Sequence, residues 1–243
     1  MKILIVGDSY AASGAPYSWT HMLENFIPGA NIDSRGVAGM SLYHAYRMLE
    51  ENDPYGYDCV VVVVTDHQRL YVDDKTPVIA GLDKDRTVWE RCDPDIASAA
   101  LAYFDHLYND EYAKFVHMLT YQKMQQMLAN HPNVLTMAAF QINDLIEIPG
   151  PLCLVDIFYR EFEGYDLTHE MYLDIDRAYF ANHMSPANNR LLARYVSEML
   201  LHGHSDITMA DFRPGFPNMG EMISKFKEKR KDQTNSVWTR WLS

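Results

Sequence analysis

Cysteine is scarce in this chain and never clustered. The three, Cys59, Cys92 and Cys153, are odd in number and form no C-x-x-C. That argues against a disulfide framework and against a zinc–thiolate site. Long apolar runs are missing too. The longest strongly apolar stretch, Cys59 to Val64, has six residues, which suits a buried strand and not a membrane span. Positive charge is in deficit. Lys and Arg total 21 against 33 Asp and Glu, a net charge of −12, the reverse of the basic face that tracks nucleic-acid phosphates. The glycine patterns G-x-x-x-x-G-K-[ST] and G-x-G-x-x-G are absent, which removes the usual phosphate and dinucleotide cradles. His169-Glu170 lacks the second histidine of a zincin helix. Asp73, Asp74, Asp83 and Asp85 lack the spacing of a calcium loop. His202-x-His204, at a helix end, reads as solvated. No metal and no cofactor is expected. Met1 to Val6 is too short for the apolar core of a signal peptide and reads as a strand. The expectation is a protein without an export signal, cytoplasmic or virion-associated.

What is present is a regular alternation. Ile3 to Val6 is a short apolar run stopped by Gly7. Ser18 to Phe26 has a helical stripe of Trp19, Met22, Leu23 and Phe26. Asn31 to Ser34 can form a second strand, and Met40 to Asn52 a second helix. Val60 to Val64 is five β-branched residues in a row, the mark of a strand buried on both faces in a parallel sheet. Residues 66 to about 94 show no period, and a loop of that length is either a surface insertion or a lid. Helices are predicted over Asp95 to Tyr108 and Asp110 to Asn130, then strands over Val134 to Ala138 and Leu152 to Phe158. Ser185-Pro186 starts a last long helix with a clear cap. Strands alternating with helices imply right-handed crossovers and a parallel sheet. The expected fold is a three-layer α/β/α sandwich around five parallel strands, over residues 1–203. Residues 204–243 form an extension, with a basic stretch from Glu221 to Lys231 followed by Trp238 and Trp241. It either packs on the domain or docks a partner.

Two places could carry chemistry. In open parallel α/β sheets, ligands bind outside the carboxyl ends of the strands. Gly7-Asp8-Ser9 stands at such an end. Serine is a nucleophile only when a base takes its proton, and His183, just ahead of the last helix, is the histidine placed to do so.

The pattern resembles the SGNH/GDSL hydrolase superfamily. Lys2-Ile3-Leu4-Ile5-Val6-Gly7-Asp8-Ser9 looks like its first block, and Arg35-Gly36-Val37-Ala38-Gly39-Met40-Ser41 like its glycine block. His183-Met184-Ser185-Pro186-Ala187-Asn188-Asn189-Arg190-Leu191-Leu192-Ala193 reads as its histidine block. The likeness covers about residues 1 to 202, with an insertion at about 66–130. It implies a flavodoxin-like hydrolase fold, Ser9 as nucleophile and His183 as base and then acid. The backbone N–H groups of Ser9 and Gly39 would form the oxyanion hole.

Two positions depart from the family pattern. The asparagine expected after the third strand is Asp66 here, in Val64-Thr65-Asp66-His67-Gln68-Arg69. A carboxylate facing an oxyanion is repulsive unless it is protonated, turned away or paired with Arg69. Thr65 or His67 could donate instead, or Asp66-His67 could simply cap the strand. The aspartate expected three residues before the histidine is Phe180. Asp174 or Asp176 could support His183; otherwise a Ser-His dyad remains, which is workable because the acid orients the imidazole and does not take its proton. Asp8, Tyr10, Thr65, His67 and Arg69 are further candidates for substrate contact. Similar polysaccharide-modifying members direct the substrate expectation to acyl groups on sugars, with a small-molecule or glycan ester as the partner and an oligomer as an option. The alternatives are an inactive carbohydrate-binding or structural module and an O-acyltransferase using the same residues.

Overall fold

The sheet forms from the runs that are apolar on both faces. In the computed structural model β1 (Lys2–Val6) lies between β2 (Asn31–Ser34) and β3 (Cys59–Val64), and β3 pairs with β6 (Val134–Ala138). Every neighbouring pair is parallel, with Leu4 opposite Val60 and Val62 opposite Thr136. The structure describes residues 1–74, 78–79, 93–142, 145–148, 150, 152–165, 167, 175, 180–214, 220–221 and 223–224.

Alternate residues of each strand feed two separate cores, as the period of two requires. Ile3, Ile5, Val61 and Val63 pack with α1 (Trp19–Met22), α5 (Leu154–Glu161) and α6 (Pro186–His202). Leu4, Val6, Val60, Val62 and Val64 pack with α2 (Leu42–Glu51) and α4 (Asp110–Leu128). The result is the three-layer α/β/α sandwich. Helix α3 (Pro94–His106) precedes α4, and both start on side-chain caps, Asp93 and Asn109. Helix α6 starts on Ser185, whose Oγ accepts from the Asn188 N–H, and ends on Gly203 at φ +75°, where a left-handed residue favours glycine.

Among the described residues the sheet has four strands where five are expected. The fifth position is reduced to one parallel bridge between Ala138 and Cys153, and the following residues form α5. Leu154, Ile157 and Glu161 are fully buried at helical spacing, which a short apolar run does not reveal. The segment after β3 is also more regular than expected. Arg69–Leu70 (β4) and Val78–Ile79 (β5) form an antiparallel pair. No helix among the described residues is long and apolar enough to cross a membrane. Residues 225–243, with Trp238 and Trp241, and Cys92 in the insertion, lie outside the described residues.

Candidate active site

The order β2-β1-β3-β6 reverses direction at β1 and β3, and the crevice outside that switch point is where such sheets bind ligands. Chain geometry forces a sharp exit from β1 there. Gly7 has φ +154°, and a Cβ on it would stand 2.7 Å from Val63 Cβ and 2.8 Å from Val63 O. Only glycine lets β1 turn this close to β3. Asp8 then caps a 3₁₀ turn over Ser9–Ala11, its Oδ1 accepting from the Tyr10 N–H at 3.0 Å. The loop leaving β2 lies against the same turn. A Cβ on Gly36 would run into the Ala11 backbone, and Ser34 Oγ donates to Ala11 O at 2.6 Å.

His183 arrives from the other end of the chain on a tight hairpin. Ala181 and Met184 exchange backbone hydrogen bonds of 3.2 and 2.9 Å, and the two residues between them, Asn182 and His183, have φ of +49° and +62°. Two central residues at positive φ are the requirement of a type I′ turn. The Asn182 amide crosses to the serine turn and donates to Ser9 O at 2.8 Å and Ala12 O at 2.7 Å. Asn189 holds the hairpin from below. Its Nδ2 donates to Ala181 O and Met184 O at 2.7 and 2.8 Å, and its Oδ1 accepts from the Trp19 N–H at 2.9 Å. These anchors set His183 Nε2 2.7 Å from Ser9 Oγ. The Tyr10 ring braces the imidazole, with centroids 4.7 Å apart. Ser9, Asn182 and His183 line a cleft of about 270 Å³ whose other walls include Ala12, Gly14, Ala15 and Ala38. Among the described residues, no acceptor takes the backbone N–H of Ser9 or of Gly39, which has φ +79°.

Behind the serine is a buried ion pair. Arg69 Nη1 lies 2.9 Å from Asp8 Oδ2, with the Arg69 side chain 5% exposed and Asp8 at 0%. Thr65 Oγ1 donates to the same carboxylate oxygen at 2.9 Å. Arg69 also donates to Met40 O at 3.2 Å, beside Gly39, and its guanidinium lies over the Phe140 ring at 4.9 Å. One side chain thus ties the serine turn to the glycine loop.

The other sequence candidates fall elsewhere. Asp66 accepts from the Gln68 N–H at 2.7 Å, the arrangement of a capped strand end, and Arg69 pairs with Asp8, not with Asp66. Asp8, Tyr10 and Thr65 are buried. His67 Nε2 meets Asp110 at 2.8 Å. Lys114, His67 and Tyr108 all converge on Asp110 and hold its carboxyl well below the usual range. Asp174 and Asp176 lie outside the described residues. Sequence reasoning passed over Asn182 as an anchor and Arg69 as the partner of Asp8. Asn182 had a usable signal, because Asn is among the few residues enriched at positive φ. The Arg69 pairing had none.

No protein-family model and no curated protein matches the chain. Among solved structures it is similar to a lipolytic protein assigned to the G-D-S-L family from Desulfitobacterium hafniense DCB-2. The identity is 13% and the TM-score 0.34, over 82% of this chain and 99% of that one. It is also similar to a gut microbial diltiazem-metabolizing enzyme at 10% identity and a TM-score of 0.36. That match covers 80% of this chain and 45% of the enzyme, so the chain spans less than half of its length. The strand order, with Gly-Asp-Ser leaving β1 and the histidine hairpin entering α6, is a flavodoxin-like arrangement. The fold rests on the strand order and the chemistry on the distances above.

Proposed function

We propose that this chain is a serine ester hydrolase working through an acyl-enzyme. Ser9 Oγ attacks the ester carbonyl while His183 Nε2 takes its proton. The tetrahedral intermediate expels the alcohol, which leaves with the proton from His183. Water, deprotonated by the same imidazole, then attacks the Ser9 acyl ester and releases the acid. The free N–H groups of Ser9 and Gly39 receive the negative charge that develops on the carbonyl oxygen. One such donor is worth about 3 to 4 kcal/mol in the transition state. The substrates are short acyl esters, with acetyl on carbohydrate foremost. The cleft, of about 270 Å³ and walled by Phe180 as well as by small side chains, has room for a short acyl group. The observation that carries the reading is the 2.7 Å contact between Ser9 Oγ and His183 Nε2 beside an open cleft.

The test is hydrolysis of 4-nitrophenyl acetate by wild type and Ser9→Ala, with fluorophosphonate labelling. The expected result is a loss of at least about a thousandfold in kcat for the Ala variant, and a label on Ser9 alone. Equal rates for the two proteins and no label would overturn the reading.

A further inference from the structure

Helices α3 and α4 carry more apolar surface than the fold covers. The thirteen residues of α3 include Ile96, Leu101, Tyr103 and Phe104, yet Ala100 alone is buried. A helix of that length is marginal in water without packing. Helix α4 is covered on one side only, where Tyr121, Met124 and Leu128 join the second core. Its other side exposes Tyr112, at 63%, with Phe115, Val116 and Leu119. The spacing i, i+3, i+4, i+7 is that of one continuous apolar helix face. Among the described residues, five of the thirteen exposed large apolar side chains fall between Leu107 and Leu119. Single exposed apolar residues are ordinary, but a contiguous set marks a contact surface.

Charge selects the partner. The stripe itself is uncharged, as the centre of an interface requires. The charges of α4 flank it: Asp110 and Glu111 in the first turn with Lys114 bonded to both, and Lys123 in the second half. Two acids and two lysines cancel, on a chain whose net charge is −12. A second copy is repelled over most of the surface and meets no net repulsion here. Set antiparallel, the acidic first turn of one α4 lies towards the Lys123 half of the other, and the two helix dipoles oppose. A strongly basic or acidic partner finds no charge to recognise on this face. The C-terminal part of the chain leaves from the other layer, since Ile223, the last buried residue described, packs with Phe162 at the end of α5.

We infer that this face is the interface of a two-fold homodimer, with α4 of one copy packed antiparallel on α4 of the other. A two-fold contact must match itself. An axis level with His117 achieves this, because it sets Phe115 of each copy against Leu119 of the other. The inference is independent of the ester-hydrolase reading.

The test is sedimentation velocity from about 1 to about 100 µM. It compares wild type, Phe115→Glu, Leu119→Lys and an equimolar mixture of the two variants. Wild type should form a dimer, and each variant alone should dissociate at least about tenfold more readily. The mixture should regain the dimer. One of its two symmetric contacts is then the native Phe115–Leu119 pair, and the other joins the two introduced charges of opposite sign. Both substitutions are at exposed positions, so circular dichroism should show the wild-type spectrum throughout. A dimer that neither variant weakens, or variants that do not recover on mixing, would overturn the interface. So would a wild type that stays monomeric. In that case a lower urea midpoint for Leu119→Lys would assign the stripe to a segment of its own chain, and an unchanged midpoint would assign it to a different protein.

Discussion

Arg69 shows how one side chain is given its task by burial. With 5% of its side chain exposed, it meets a fully buried Asp8 at 2.9 Å. Removing one partner of such a pair strands the other charge, which costs about 3–5 kcal/mol, whereas removing both is far milder. Arg69→Met should therefore lower the unfolding free energy by about that amount. Asp8→Asn combined with Arg69→Met should recover a large part of it. Urea denaturation of the two single variants, the double variant and wild type measures the coupling. Additive losses would show that the pair is not coupled. Catalysis should suffer as well, because Arg69 also holds Met40 O beside Gly39. Ser9 and His183 were legible in the sequence because each sits inside a local pattern, Gly-Asp-Ser and a histidine block. The partner of Arg69 was not. Asp66 lies three residues away and Asp8 sixty-one, and only the fold shows that the distant carboxylate is the near one.

The histidine hairpin is the element that decides the site. Its backbone needs positive φ at Asn182 and His183, and its register to the serine turn comes from the two Asn182 amide bonds to Ser9 O and Ala12 O. The two demands can be separated by substitution. Asn182→Gly keeps the backbone and loses the anchor, so kcat on 4-nitrophenyl acetate should fall by about ten- to a hundredfold as the imidazole drifts from Ser9. Asn182→Ala loses the anchor and also pays for a left-handed Cβ, which should leave it about 1–2 kcal/mol less stable than the Gly variant. Kinetics and denaturation midpoints on the pair test this, and equal stability of the two would refute the strain argument. Elements were legible where the pattern was long or bounded by clear stops. The five β-branched residues of β3 and the Ser-Pro start of α6 are examples. The strand expected over Leu152 to Phe158 is instead the start of α5, because that run is apolar except at Asp156 and too short for a period of 3.6 to show against a buried strand. The antiparallel pair β4–β5 was missed because two-residue strands leave no period at all.

The molecule is closed at the end of α5 by a buried carboxylate. Glu161, at 0% exposure, accepts from the Ser185 N–H at 2.8 Å and from Asn188 Nδ2 at 2.7 Å. Asn188 in turn exchanges hydrogen bonds with Arg213, at 2.9 and 3.0 Å. Helix α5, the cap of α6 and the segment after it therefore share one node. Burial raises the Glu161 pKa above the ordinary glutamate value, against the lowering effect of the Ser185 and Asn188 bonds. The sign of the consequence follows from linkage. With the folded pKa above the unfolded one, the native state holds the proton more tightly. The stability contributed by protonated Glu161 is complete below the unfolded value and is lost as pH rises through the folded value. Glu161→Gln keeps an acceptor oxygen and carries no charge at any pH. The stability of Glu161→Gln relative to wild type should therefore increase from about pH 4 upwards and level off once Glu161 is ionised. The net charge of −12 adds self-repulsion that also grows with pH, but it acts on both proteins almost equally and cancels in the difference. Urea midpoints of the two proteins at about pH 4 and about pH 8 measure it. A gap that stays constant between those values would mean that Glu161 binds its proton equally in the folded and unfolded chains, so that burial does not raise its pKa.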